Sequence, residues 1–371
     1  MKFYLLAWWS ACATMLTAHA PLSAASIVNV VESSVVQNSR QPQAAVRANG
    51  TILVAFGADD TIYCCRSVED GTVFQPPVRV GHLPALALGR RRGPRIVAND
   101  EAIVVTAISH DNGNLFAWRS TDDGESWSDP VQVNDSVKDC REGLHAMALA
   151  PNGNVFCTWL DLRSRGTEIF GSHSADGGAS WSKNHRVYRS PSGTVCECCH
   201  PSATYHADGS LHVMWRNSLN GSRDMFLASS ANDGQTFSQA KKLGQQTWKL
   251  NACPMDGGYL ASTGSGKITT VWRRDNTVYR TDSADGAETV LGRGLQPWVA
   301  GTDDGAFIAW LSRLNGPLMY VVPGSATPRK VVDAAADPVI VSPVNAKGPV
   351  VIVWETGTRE DSSIKATIIR Q

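Results

Sequence analysis

The chain has 371 residues, and 34 Lys and Arg are balanced by 34 Asp and Glu, so it carries no net charge. That balance argues against a nucleic-acid surface, and 43% apolar content argues against a disordered chain. With 32 Gly, 18 Pro and 12 Trp but only 18% charged residues, the composition is that of a turn-rich β protein.

Residues 1–25 read as a secretory signal. Lys2 supplies the positive start, Phe3 to Leu16 the apolar run, and Ser23-Ala24-Ala25 a small-x-small cleavage site. The run is too short to span about 30 Å of hydrocarbon, and no later stretch is apolar enough to do so. The expectation is a periplasmic or secreted protein formed by residues 26–371 as one domain. It keeps eight cysteines in a compartment that permits disulfides.

The mature chain repeats itself. Ser120-Thr121-Asp122-Asp123-Gly124-Glu125-Ser126-Trp127 recurs as Ser174-Ala175-Asp176-Gly177-Gly178-Ala179-Ser180-Trp181. It recurs again as Ser230-Ala231-Asn232-Asp233-Gly234-Gln235-Thr236-Phe237. Degraded copies start at Ser67 and Ser283, so the leading serines step by 53, 54, 56 and 53 residues. In each copy Asp or Asn can accept backbone N–H bonds in a tight turn, Gly can take positive φ, and the aromatic can plug the adjoining layer. These segments are Asp-boxes, and on them the chain resembles the sialidase-type (Asp-box, or BNR) β-propeller family.

A second pattern counts the blades. Turns at Asn49-Gly50, Asn99-Asp100, Asn152-Gly153, Asp208-Gly209, Ser265-Gly266, Asp304-Gly305 and Lys347-Gly348 each precede an apolar, β-branched strand. A further short strand precedes each turn and starts near a Pro in most copies: Pro42, Pro94, Pro201, Pro254, Pro297 and Pro338. The prediction is an all-β propeller of seven four-stranded antiparallel blades, with the strand around Ile27 to Val36 completing the last. Six blades, the number the resemblance implies, is the alternative.

In a propeller the loops leading into the innermost strands, and those joining the second and third strands, share the face around the channel. Here they carry Arg95, Arg163, Arg216, Arg223, Arg273 and Arg274, a cationic set suited to a small anionic or carbohydrate ligand. The resemblance implies an arginine triad on a carboxylate, an Asp acid/base and a Tyr nucleophile activated by Glu. Arg95, Arg216 and Arg273 are the triad candidates by repeat position. Asp161 is the acid/base candidate, Tyr205 and Tyr259 are the tyrosines, and Glu197 and Glu355 the nearest carboxylates. The alternative is that these arginines make ion pairs between blades.

The cysteines make a separate case. Cys196, Cys199, His200, Cys253 and Met255 lie on neighbouring lead-in loops and form a soft-metal set suited to copper. Disulfides, for instance from the Cys196–Cys199 segment to Cys253, are the reading preferred for an exported chain. Cys196-Glu197-Cys198-Cys199-His200 also fits the Cys-x-x-Cys-His pattern of c-type haem attachment, but it leads into a strand. No cofactor is expected, with copper or c-type haem as the alternatives. Cys64 and Cys65 should point to opposite faces of one strand, and Cys157 should be core. The functional expectation is a sialidase-like glycosidase, with a non-catalytic binding propeller and a periplasmic copper or redox protein as alternatives.

Overall fold

The computed structural model describes residues 26–68, 71–284, 286–343 and 347–370. The signal read at residues 1–25, and Glu69, Asp70 and Asp285 of the degraded boxes, lie outside them. Seven antiparallel sheets form seven blades, and the six-bladed alternative is excluded. Their innermost strands are Arg40–Val46, Arg95–Ala98, His145–Leu149, Ser202–Tyr205, Tyr259–Ser262, Leu295–Thr302 and Ala336–Val341. Each touches the next around the channel, and the seventh touches the first. Six blades have four strands, while the first gains an extra short strand, Val73–Phe74. No helix among the described residues is long and apolar enough to cross a membrane.

The ring closes as expected. The last blade takes three strands from the C-terminal end of the chain, and Ile27–Val31 adds antiparallel to Ser362–Ile369. Val30 and Val31 are buried there, in one cluster with Ile364, Ala366 and Ile368.

The second strands explain the long apolar runs. Ile52–Ala58 and Val155–Asp161 are buried at every position, because each blade is stacked between two others. Alternation therefore gives way to continuous hydrophobicity. Five of these seven strands bury a Trp: Trp159, Trp215, Trp272, Trp310 and Trp354. Truncating such a residue to Ala costs about 3–5 kcal/mol. Cys64 and Cys65 enter different core clusters, as expected for neighbours on one strand, and Cys157 is core.

The three full Asp-boxes share one geometry. The leading serine donates to the box Asp or Asn, at 2.8, 2.7 and 2.9 Å for Ser120, Ser174 and Ser230. The same hydroxyl accepts the N–H of Gly124, Gly178 and Gly234 at 2.9, 2.8 and 2.9 Å. These glycines have φ between 80° and 88°, so Gly is required there. Trp127, Trp181 and Phe237 pack on neighbouring cores. The boxes form one face, leaving the opposite face to the lead-in loops.

Deleting Ile27–Val31 should cost about 3–5 kcal/mol, from two buried valines and a bare strand edge. Calorimetry should show the lower melting temperature, and gel filtration should show association through the exposed edge of Ser362–Ile369.

Candidate active site

Three neighbouring blades begin in the same unusual way. The innermost strands of blades 1, 6 and 7 start Arg40-Gln41-Pro42, Leu295-Gln296-Pro297 and Ala336-Asp337-Pro338. Each has a register shift there, and the residue before the Pro is left-handed, with φ of 55° at Gln41, 54° at Gln296 and 45° at Asp337. A non-glycine residue pays for that conformation, and bulges of this kind re-aim side chains beside functional sites. All three side chains converge.

Asp337 is the acceptor at the centre. Gln41 Nε2 donates to its Oδ2 at 2.6 Å and Gln296 Nε2 to its Oδ1 at 2.9 Å. Arg91 Nη1 lies 3.9 Å from Oδ1 and donates to the Pro338 carbonyl at 3.2 Å. The Gln41 main-chain N–H donates to Glu355 Oε1 at 2.5 Å, and Gln41 Nε2 is 3.4 Å from the same oxygen. Asp337 and Glu355 therefore share one amide. Arg40 Nε is 4.0 Å from Glu355 Oε2.

This pair lines a cleft of about 280 Å³ on the lead-in face, with Arg40, Asn315 and Arg359 on its walls. Its size is at the small end of ligand pockets. The channel itself holds about 160 Å³ between the innermost strands, lined largely by Ala, Val and Ile, and offers little chemistry. Burial first, and then the charge of Asp337, push the Glu355 carboxyl up from 4.5 to about 7.

Above the channel the remaining lead-in residues form a buried polar plug. The Gln296 N–H donates to Asp256 Oδ2 at 2.7 Å. Arg91 Nη2, Asp256 Oδ1, Gln296 Oε1 and both ring nitrogens of His200 have no protein partner among the described residues. Buried polar atoms normally have one, so these are available to water or to polar groups of a ligand. His200 is held neutral by burial and by the charges of Arg91 and Arg95.

The expected arginine triad is not presented. The three nitrogens of Arg216 donate to the carbonyls of Asp256, Arg223 and Arg273 at 2.9, 2.6 and 2.9 Å, and the side chain is 1% exposed. Arg95 donates to the carbonyls of His145, Gly93, Pro94 and Arg91. Arg273 donates to the Pro254 carbonyl and sits 3.4 Å from Asp256. These guanidiniums staple loops of adjacent blades. Arg274 pairs with both oxygens of Glu288, and the Arg223 side chain donates to the Ala252 carbonyl at 3.5 Å.

The other sequence candidates are scattered. Asp161 is fully buried, accepts from Arg163 Nε and Nη2 at 2.9 and 3.0 Å and from Trp159 Nε1 at 2.8 Å, and does not line the cleft. Tyr205 donates to Asp233 of an Asp-box at 3.3 Å, which puts its hydroxyl on the opposite face. Tyr259 stacks on Trp298 at 3.9 Å in the upper channel, its hydroxyl pushed up to about 12 by burial. Glu197 is exposed and bonded to Thr194. Of the proposed carboxylates, only Glu355 reaches the cleft. Gln41 and Asp337 were missed, although each directly precedes one of the recurring prolines.

The sulfur residues divide. Cys198 and Cys253 form a disulfide between the lead-in loops of blades 4 and 5. In this form Cys253 offers no thiolate to a metal. Cys196 and Cys199 remain thiols, with sulfurs 3.1 Å apart, and Met255 packs against them. His200 leaves the group and lines a small cavity in the upper channel with Arg95, Tyr259 and Trp298.

Comparison with known proteins agrees with this architecture. Residues 101–259 match the BNR repeat-like domain family, a span holding all three full boxes. No curated protein matches the chain in sequence. The α-L-arabinanase of Penicillium chrysogenum, solved with arabinobiose, is 12% identical with a TM-score of 0.56, over 93% of this chain and 97% of that one. A polysaccharide lyase of family PL25, an ulvan lyase, is 12% identical with a TM-score of 0.58, over 92% and 95%. A Hadza microbial sialidase is 13% identical with a TM-score of 0.50, over 90% of this chain and 65% of that one. The chain thus has a BNR-type propeller fold of the kind found in glycan-active proteins.

Glu355 ties stability to pH. Its folded-state pKa is raised, so its contribution is fully present below about 4.5 and is lost as pH rises through about 7. Between pH 4.5 and 8 the wild type should lose about 3 kcal/mol relative to Glu355→Gln. Urea unfolding of both at the two pH values measures the difference.

Proposed function

We propose that this chain is an exported glycoside hydrolase of the BNR-propeller type, acting at the Asp337–Glu355 cleft on a small, preferably anionic, sugar. The observation that carries the reading is a pair of carboxyls, Asp337 and Glu355, sharing the Gln41 amide on the wall of one cleft, where burial and the charge of Asp337 raise the Glu355 carboxyl. Glycosidic cleavage needs that division: one carboxylic acid protonates the leaving oxygen, and a second carboxylate meets the positive charge at the anomeric carbon. Glu355 is the general acid. Asp337, with N–H donors on both oxygens, is the fixed partner. Arg40 and Arg359 line the same cleft and would favour an acidic sugar. Related propellers support a carbohydrate ligand: one was solved with arabinobiose, and the ulvan lyase with a fragment containing glucuronate. The N-terminal sequence supports export.

An exo-sialidase is the finer form of this reading, and it is the less supported one, because the arginines expected to hold the carboxylate are spent on main-chain carbonyls. A binding propeller without catalysis is the second reading. It is favoured by how fully Gln41, Gln296 and Arg91 already engage the two carboxylates.

Fluorogenic glycosides of sialic acid, glucuronic acid and arabinofuranose separate these readings. Turnover is expected on an acidic sugar, with an alkaline limb near pH 7 and a loss of about 10²–10⁴-fold in kcat for Glu355→Gln. Saturable binding without turnover on any glycoside would leave the binding reading. Turnover unaffected by Glu355→Gln and Asp337→Asn would remove this cleft as the active site.

A further inference from the structure

The glycan cleft makes no use of the sulfur cluster at the lead-in loops of blades 4 and 5. Cys196, Cys198 and Cys199 place their sulfurs within 4.8 Å of one another. The Cys196 sulfur is 3.1 Å from that of Cys199 and 3.8 Å from that of Cys198. All three are buried, at 2%, 7% and 1% exposure, and their disulfide partner Cys253 is exposed. Three sulfurs on four consecutive residues thus face one point, and the disulfide delivers a fourth from the next blade.

We propose that Cys196, Cys198, Cys199 and Cys253 form one site for a thiophilic d¹⁰ cation, zinc or cuprous copper, which the Cys198–Cys253 disulfide holds shut in the oxidised chain. Tetrahedral ligation with metal–sulfur bonds of about 2.3 Å puts sulfurs about 3.8 Å apart. The Cys196–Cys198 separation already has this value, and the Cys196–Cys199 pair must open by less than about 1 Å. Met255 adds an apolar wall that suits soft ligation.

Opening the site is a two-electron reduction by a dithiol. One of its thiolates attacks the sulfur of Cys253, the exposed residue of the pair, the Cys198–Cys253 bond breaks, and Cys198 leaves as a thiolate that takes a proton. The second thiol of the reductant then attacks the mixed disulfide. The reductant departs as a cyclic disulfide, and Cys253 is left as a thiol. The cation then displaces the thiol protons with no change of its own oxidation state.

The test uses the full mature chain. One sample is kept oxidised, and one is reduced with dithiothreitol and desalted without oxygen. Each is offered zinc or cuprous copper, desalted again and analysed for metal, with near-UV circular dichroism reporting the fold. The reduced chain should hold about one cation, and the oxidised chain none. Binding should be lost in Cys196→Ser and in Cys198→Ser and retained in Cys140→Ser. Because a cysteine variant can misfold, peptide mapping of the wild type supplies a second readout. Bound metal should protect Cys196, Cys198, Cys199 and Cys253 from alkylation. Competition between the two cations identifies the preferred one. The proposal is overturned by a folded, reduced chain that takes up neither cation, by uptake that survives both serine variants, or by a chain that unfolds on reduction and is not restored by metal.

Discussion

The hydrogen-bonded closure of Ile27–Val31 onto Ser362–Ile369 is the constraint on which the rest depends. A blade is a twisted sheet with both faces apolar, and it is stable only when sandwiched. In an open row the two end blades would each expose a face, and in a ring none does. The closure therefore explains why the second strands can be hydrophobic throughout, and why the Trp residues sit where they do. It also brings blade 7 against blade 1, and that junction holds the candidate site: Glu355 and Asp337 belong to one blade and Gln41 to the next.

The arginines show how a correct placement can mislead about role. Arg95, Arg216 and Arg273 do lie at the lead-in face, as the repeat register implies. There, however, the chain leaves many loop carbonyls buried, and each needs a donor. A guanidinium with five N–H groups meets several at once, so these residues are used as staples. Sequence records the charge but not the carbonyls that surround it. Cys140 follows the same pattern. It falls in a lead-in loop yet packs into the core beside Cys157 and Trp159.

The two residues that sequence reading passed over, Gln41 and Asp337, were hidden by backbone geometry. A Gln or Asp before a proline looks like turn punctuation. Only the register shift and the left-handed φ turn those side chains inward, where they meet Gln296 and Glu355. The recurring prolines had been useful for counting blades, and the residue preceding each was the available signal.

The sequence alone determined the fold class: the box period and the turn-strand pattern imply a closed propeller ring, because each repeat encodes one unit that cannot bury its own faces, while the count of seven over six was decided by the structure. It also placed the polar loops on one face and preferred a disulfide between the Cys196–Cys199 segment and the loop of Cys253, which the structure forms between Cys198 and Cys253. Tertiary structure decided which of many polar lead-in residues are spent and which remain available. That depends on donors and acceptors far apart in the chain, such as Gln41 and Glu355 across the closure. Local pattern contains no information on such pairings, and the environment they create raises the carboxyl of Glu355.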